Sequence, residues 1–94
     1  MGSTSVVEIA SLITAHLSGD PKIRVSGVSL NSNTVEKNEL FAALPGRTAH
    51  GVTFVSQAIK RGASAILTDP TGVQWLDQSD LDIELPVLLV SDPR

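Results

Sequence analysis

Leu40-Phe41-Ala42-Ala43-Leu44-Pro45-Gly46-Arg47-Thr48-Ala49-His50-Gly51-Val52-Thr53-Phe54 decides the fold, because it reads as a buried strand, a glycine-bounded polar loop and the start of a helix. A loop beyond the carboxyl end of a strand offers backbone amides, and a helix start adds a positive dipole end. The stretch therefore predicts a place for an anionic or polar ligand. Gly46, Gly51 and Thr53 also fit the frame G-x-x-x-x-G-K-[ST] of a phosphate loop. Val52 stands where lysine must reach the β/γ-phosphates, which argues against a degenerate phosphate-loop enzyme.

Outward from this stretch, the apolar runs at 63–68 and 86–90 are further strands, and all three are continuously apolar, as strands covered on both faces are. Helical or connector segments separate them, which implies parallel pairing through right-handed crossovers. The predicted second helix runs over 53–61, burying Val55, Ala58 and Ile59, with Lys60 and Arg61 at its end and Gly62 as its stop. A short helical turn at 72–77 carries Trp75 as a packing residue, and an acidic connector follows.

Toward the N-terminus, Val6, Ile9, Ala10, Ile13 and Leu17 recur at helical spacing behind the capping box Ser5-Val6-Val7-Glu8, with Gly19 as terminator. Gly27 interrupts the alternation of Ile23, Val25, Val28 and Leu30, which reads as two short strands or one bulged strand. The polar run 31–38 is a loop. The expected fold is α/β, a small three-layer domain with a mainly parallel or mixed sheet.

The chain has 94 residues, 41% of them apolar and 18% charged, which fits a single small globular domain and argues against disorder. A net charge of −3 without a basic cluster disfavours nucleic acid and anionic membrane as partners. Without cysteine there is no disulfide or thiol chemistry, and His16 and His50 lie apart from any clustered carboxylate, so neither a metal site nor a catalytic pair is expected. Asp77, Asp80, Asp82 and Glu84 read as a solvated connector. No apolar run approaches the roughly 18 residues of a membrane span, and a cytoplasmic location is the expectation. Residues 1–3 read as an expression scar, and Val6 rules out a myristoylation signal.

Gly27-Val28-Ser29-Leu30-Asn31-Ser32-Asn33, Glu39-Leu40-Phe41-Ala42-Ala43-Leu44-Pro45-Gly46, Ala49-His50-Gly51, Gln57-Ala58-Ile59, Arg61-Gly62-Ala63, Leu85-Pro86-Val87 and Asp92-Pro93-Arg94 follow one another in a fixed order. Together they resemble the N-terminal domain of a Mur ligase, most closely the MurE type, UDP-N-acetylmuramoyl-tripeptide synthetase. The resemblance covers about residues 23–94. Two departures stand out. The family's usual Asp-Ser-Arg is Asn31-Ser32-Asn33 here, and its usual Pro-Gly-Asp before the Leu-Phe pair is Lys37-Asn38-Glu39.

The resemblance implies a single domain over 4–94 that holds the UDP end of UDP-N-acetylmuramoyl-dipeptide. In the parent ligase, ATP and Mg belong to a central domain and the amino-acid site to a C-terminal one. It further implies that this fragment carries no cofactor, metal or catalytic residue of its own and does not ligate. By position, the uridine contacts fall on Leu30, Ser32, Arg47, Thr48 and Ala49. Uracil offers one N–H donor between two carbonyl acceptors, which a hydroxyl and backbone groups can match, while Leu30 can cover its ring face and Arg47 can stack or approach the diphosphate.

Taken without the resemblance, Ser32 is a turn-forming hydroxyl, Arg47 a solvated loop charge, and Gly46 and Gly51 serve backbone geometry. The other readings are the N-terminal domain of a MurF-type ligase and a non-catalytic α/β interaction or regulatory domain, since fold does not fix function.

Overall fold

The computed structural model describes residues 3–44, 51–78 and 85–90. In chain order the elements are β1 (Thr4–Ser5), α1 (Val6–Ile13), β2 (His16–Ser18), β3 (Arg24–Val25), β4 (Gly27–Ser29) and β5 (Glu39–Ala43). A 3-10 turn (Gly51–Phe54), α2 (Val55–Lys60), β6 (Ala65–Thr68), α3 (Pro70–Gln78) and β7 (Val87–Leu89) follow. Five strands form one sheet in the order β2-β7-β6-β5-β4, and β1 and β3 make a separate two-stranded ribbon. The pairs β5/β6 and β6/β7 are parallel, as the apolar runs predict, β4 also joins β5 in parallel, and β2 joins β7 antiparallel, so the sheet is mixed.

Side-chain alternation divides each parallel strand between two cores. Leu40 and Ala42 face one side with Ala65 and Leu88, where α1 lays down Val6 and Ala10. Phe41, Ala43 and Ile66 face the other, against Val52, Val55 and Ala58, with Trp75 and Leu76 packed at the margin. Helices on both faces of the sheet make the three layers. Trp75 is the packing residue expected of it.

Three segments depart from the sequence expectation. The first helix stops at Ile13 instead of reaching Leu17, because Thr14 takes a left-handed conformation (φ 56, ψ 48) and donates its backbone N–H to Ala10 O. His16, Leu17 and Ser18 then pair with Leu89, Leu88 and Val87. That tertiary pairing overrides a helical period carried by five residues. Ser5 does cap α1, accepting from the Glu8 N–H at 3.4 Å. The residues at 23–30 form two short strands in different sheets, β3 with β1 and β4 with β5.

The second helix does not open at 53, since 51–54 are a 3-10 turn and α2 begins at Val55. The third begins at Pro70, earlier than the turn expected at 72. Asp69 Oδ1 accepts from the Gly72 N–H at 2.9 Å, so Asp69 is a cap and Pro70 the residue best suited to a first helical position.

Candidate functional site

Parallel pairing brings the carboxyl ends of β4, β5, β6 and β7 to one edge of the sheet, where ligands of open α/β sheets bind. A cavity of about 300 Å³ opens there beside β4 and β5. Phe41, 1% exposed, and Leu44 contribute its apolar lining, and Leu30 and Phe54 line it with largely exposed side chains. Asn31, Ser32, Asn33 and Gln57 line the polar part.

The polar edge is built locally. After β4 the chain turns sharply, with Asn31 O accepting from the N–H groups of Thr34 and Val35, both at 3.1 Å, and Asn31 Oδ1 accepting from the Asn33 N–H at 2.8 Å. This Asx turn is what a run of Asn and Ser favours. It turns Ser32 inward to 6% exposure, where its hydroxyl donates to Gln57 Oε1 at 3.3 Å. The same Gln57 side chain donates through Nε2 to Asn33 Oδ1. One amide on α2 therefore grips two consecutive residues of the turn.

The strand-to-turn connection after β5 is anchored at both roots. Leu44 O accepts from the Gly51 N–H at 2.8 Å, and both residues line the cavity. A Cβ at position 51 would stand 3.0 Å from Leu44 N and 3.1 Å from Leu44 O, so glycine is what lets the two roots approach.

Of the residues singled out from the sequence, Leu30 and Ser32 meet at this cavity. Leu30 is 74% exposed at its margin, so its ring-covering role is open to a ligand. Arg47, Thr48 and Ala49 lie outside the described residues. Asn33, where the family's arginine is lost, is part of the lining. Gln57 and Phe54 fall in stretches that the sequence reading quotes but carry no site role there, and their signal as lining residues is faint. Gln57 is a polar residue directly preceding the buried Ala58 on α2, and Phe54 is one of only two phenylalanines.

The phosphate-loop reading fails on geometry. Val52 is 1% exposed inside the core, where a lysine reaching for a phosphate would have no access to solvent, and Gly51–Phe54 form a 3-10 turn. None of the described lining side chains is charged. The cavity can cover the face of a small neutral ring and hydrogen-bond one of its edges. Among the described residues no group of His, Asp or Glu could hold a metal ion, and no helix is long and apolar enough to cross a membrane.

Residues 24–86 match the family model described as Mur ligase family, catalytic domain. The chain belongs to the Mur ligase family. It is 39% identical over 94 residues to the UDP-N-acetylmuramoyl-L-alanyl-D-glutamate--2,6-diaminopimelate ligase of Streptomyces avermitilis, covering 100% of this chain and 18% of that protein. To the UDP-N-acetylmuramoyl-tripeptide--D-alanyl-D-alanine ligase of Haemophilus influenzae it is 29% identical over 90 residues, covering 96% of this chain and 18% of that one. Crystal structure I of MurF from Acinetobacter baumannii superimposes with a TM-score of 0.74 at 17% identity, covering 99% of this chain and 19% of that chain, which is a likeness of fold. This Mur ligase chain spans about a fifth of the length of those relatives, and its fold is the small α/β fold of the family's N-terminal domain.

Proposed function

We propose that this Mur ligase domain holds the uridine end of a UDP-N-acetylmuramoyl-peptide, as the N-terminal domain of a MurE-type ligase that adds the third residue of the peptidoglycan stem peptide. The observation that carries the reading is the cavity at the carboxyl edge of β4 and β5, whose described lining is uncharged, with apolar residues that suit a pyrimidine face and Ser32 and Asn33 that suit its edge. Ser32 and Leu30 contact the base, and Arg47, Thr48 and Ala49 are assigned to the same ligand, with Arg47 nearest the diphosphate. The parent is a cytoplasmic ligase that draws its ATP and Mg from other domains, and this domain alone neither hydrolyses ATP nor forms an amide bond. The greater identity to a diaminopimelate ligase, 39% against 29% for the D-alanyl-D-alanine ligase, supports the MurE over the MurF type.

With only the uridine end engaged, a few hydrogen bonds and a ring face must offset the entropy of association. The expected Kd for UDP is on the order of 1 mM. Amide chemical shifts during a UDP titration should cluster at Leu30, Ser32 and 47–49. Ser32→Ala should weaken UDP binding by roughly 1 to 2 kcal/mol, because it leaves a polar edge of the base unpaired. Shifts centred on Trp75 or His16, or ATP binding in preference to UDP, would sink the assignment.

A further inference from the structure

Gln57 is half a hydrogen-bond relay, and the relay has a direction. Ser32 spends its one hydroxyl proton on Gln57 Oε1, so what the hydroxyl presents elsewhere is lone pairs. Asn33 receives the Gln57 Nε2 proton on Oδ1, so the remaining face of its amide is the NH2 group. Both residues line the cavity and are consecutive in the chain. The polar edge then carries an acceptor at Ser32 beside a donor at Asn33.

We infer that Gln57 is a positioning residue that sets this acceptor-donor order, and that the order selects a 4-oxo pyrimidine over a 4-amino one. The inference rests on the uridine reading of the cavity and goes beyond it in naming what reads the base and what orients the reader. Uracil presents N3–H, a donor, next to the O4 carbonyl, an acceptor, and so complements Ser32 and Asn33 in that order. Cytosine presents N3 as an acceptor next to a 4-amino donor, which sets acceptor against lone pair and donor against donor. Leaving such groups unpaired is what rejects an analogue of identical shape. Asn33 acquires this role only because it is an amide. An arginine there would offer donors alone and could not be turned by Gln57.

The Asn33 half of the relay can be reversed without touching the base. In Gln57→Glu both carboxylate oxygens accept, so Ser32 still donates to position 57, but Asn33 must turn its NH2 toward the glutamate and expose Oδ1 to the cavity. Asn33→Asp puts an acceptor at the same place directly while keeping the Gln57 Nε2 bond. The experiment is an NMR titration of the whole chain with UDP and with CDP, which share the ribose and diphosphate, for the wild type and both variants. Wild type should prefer UDP by about tenfold, and both variants should bring the ratio to within about threefold, by losing UDP affinity and not by losing both ligands equally. The amide spectrum of each variant without ligand reports that it is folded.

A remote Gln57→Glu that copies Asn33→Asp in the sign of its selectivity change is the signature of orientation, since a merely structural contact would weaken both nucleotides alike. UDP binding with an unchanged ratio in Gln57→Glu, or an equal loss of both ligands, overturns the relay while leaving the uridine reading intact. A wild type that binds neither nucleotide overturns both.

Discussion

The two faces of the central sheet are made from alternate residues of the same strands, yet only one of them carries the site. On the α1 face, Leu40, Ala42, Ala65 and Leu88 are closed over by Val6 and Ala10. On the α2 and α3 face, Phe41, Ala43 and Ile66 are covered by Val52, Val55 and Ala58, but the covering starts late. The 3-10 turn at Gly51–Phe54 delays α2 until Val55, and Phe54 and Gln57 are left standing beside the carboxyl edge, where they line the cavity. Burial on both faces is therefore a property of the strands, whereas the site is a property of where one covering helix begins.

Phe41→Ala should break this asymmetry most deeply. It removes the largest fully buried side chain, which also lines the cavity, at a cost of about 3 to 5 kcal/mol. Val6→Ala on the opposite face removes two methyl groups and should cost about 1.5 to 2.5 kcal/mol. Urea unfolding checks both values, and a UDP titration separates the faces. Phe41→Ala should lose UDP shifts under conditions where it is still folded, while Val6→Ala keeps them. Equal effects on binding would mean that the cavity does not depend on the face it opens from.

Gly72→Ala comes next, on the site-bearing face. A Cβ there would lie 1.8 Å from Thr68 Oγ1, and Thr68 is fully buried with its hydroxyl donating to Ala43 O at 2.7 Å. The variant must push Thr68 aside and strand a buried carbonyl, so we expect a loss of about 2 to 3 kcal/mol despite alanine's better helix propensity. In a Thr68→Ala background the same change should cost about 1 kcal/mol less, because the Oγ1 and Cγ2 contacts are gone and only the Cβ of residue 68, 2.9 Å away, still crowds position 72. A full cost in both backgrounds would place the strain elsewhere.

The parallel strands β5, β6 and β7 were legible in the sequence because 40–44, 65–67 and 86–90 are runs without a polar residue, a pattern that two-sided cover imposes and a half-exposed strand does not show. Leu30 and Ser32 were singled out through the family pattern, and both line the cavity. Gln57 was not, because its role depends on α2 placing its side chain across 25 residues of sequence from Ser32, and nothing local marks that meeting. The early segment misled for a related reason. A three-residue strand such as β2 has no period of its own, and its pairing partner lies about 70 residues away at β7. Local propensity is a weak prior against such a contact.

The smallest expected effect tests where local and distant forces meet, at Thr14. A β-branched residue at φ 56 is strained, by roughly 1 to 2 kcal/mol relative to a residue without a Cβ. Glycine removes that strain but gives back part of the gain through the larger entropy of its unfolded chain, so Thr14→Gly should stabilise the fold by a net amount of about 0.5 to 1 kcal/mol. Urea midpoints at constant slope measure it. If α1 instead continued to Leu17, as its apolar spacing suggests, position 14 would be a helix interior and the same substitution would destabilise by a few tenths of a kcal/mol or more. The sign alone decides. Ile13, the member of the apolar stripe after Ala10, is already 43% exposed, so the stripe leaves the core at this turn and the helix has nothing to gain by going on.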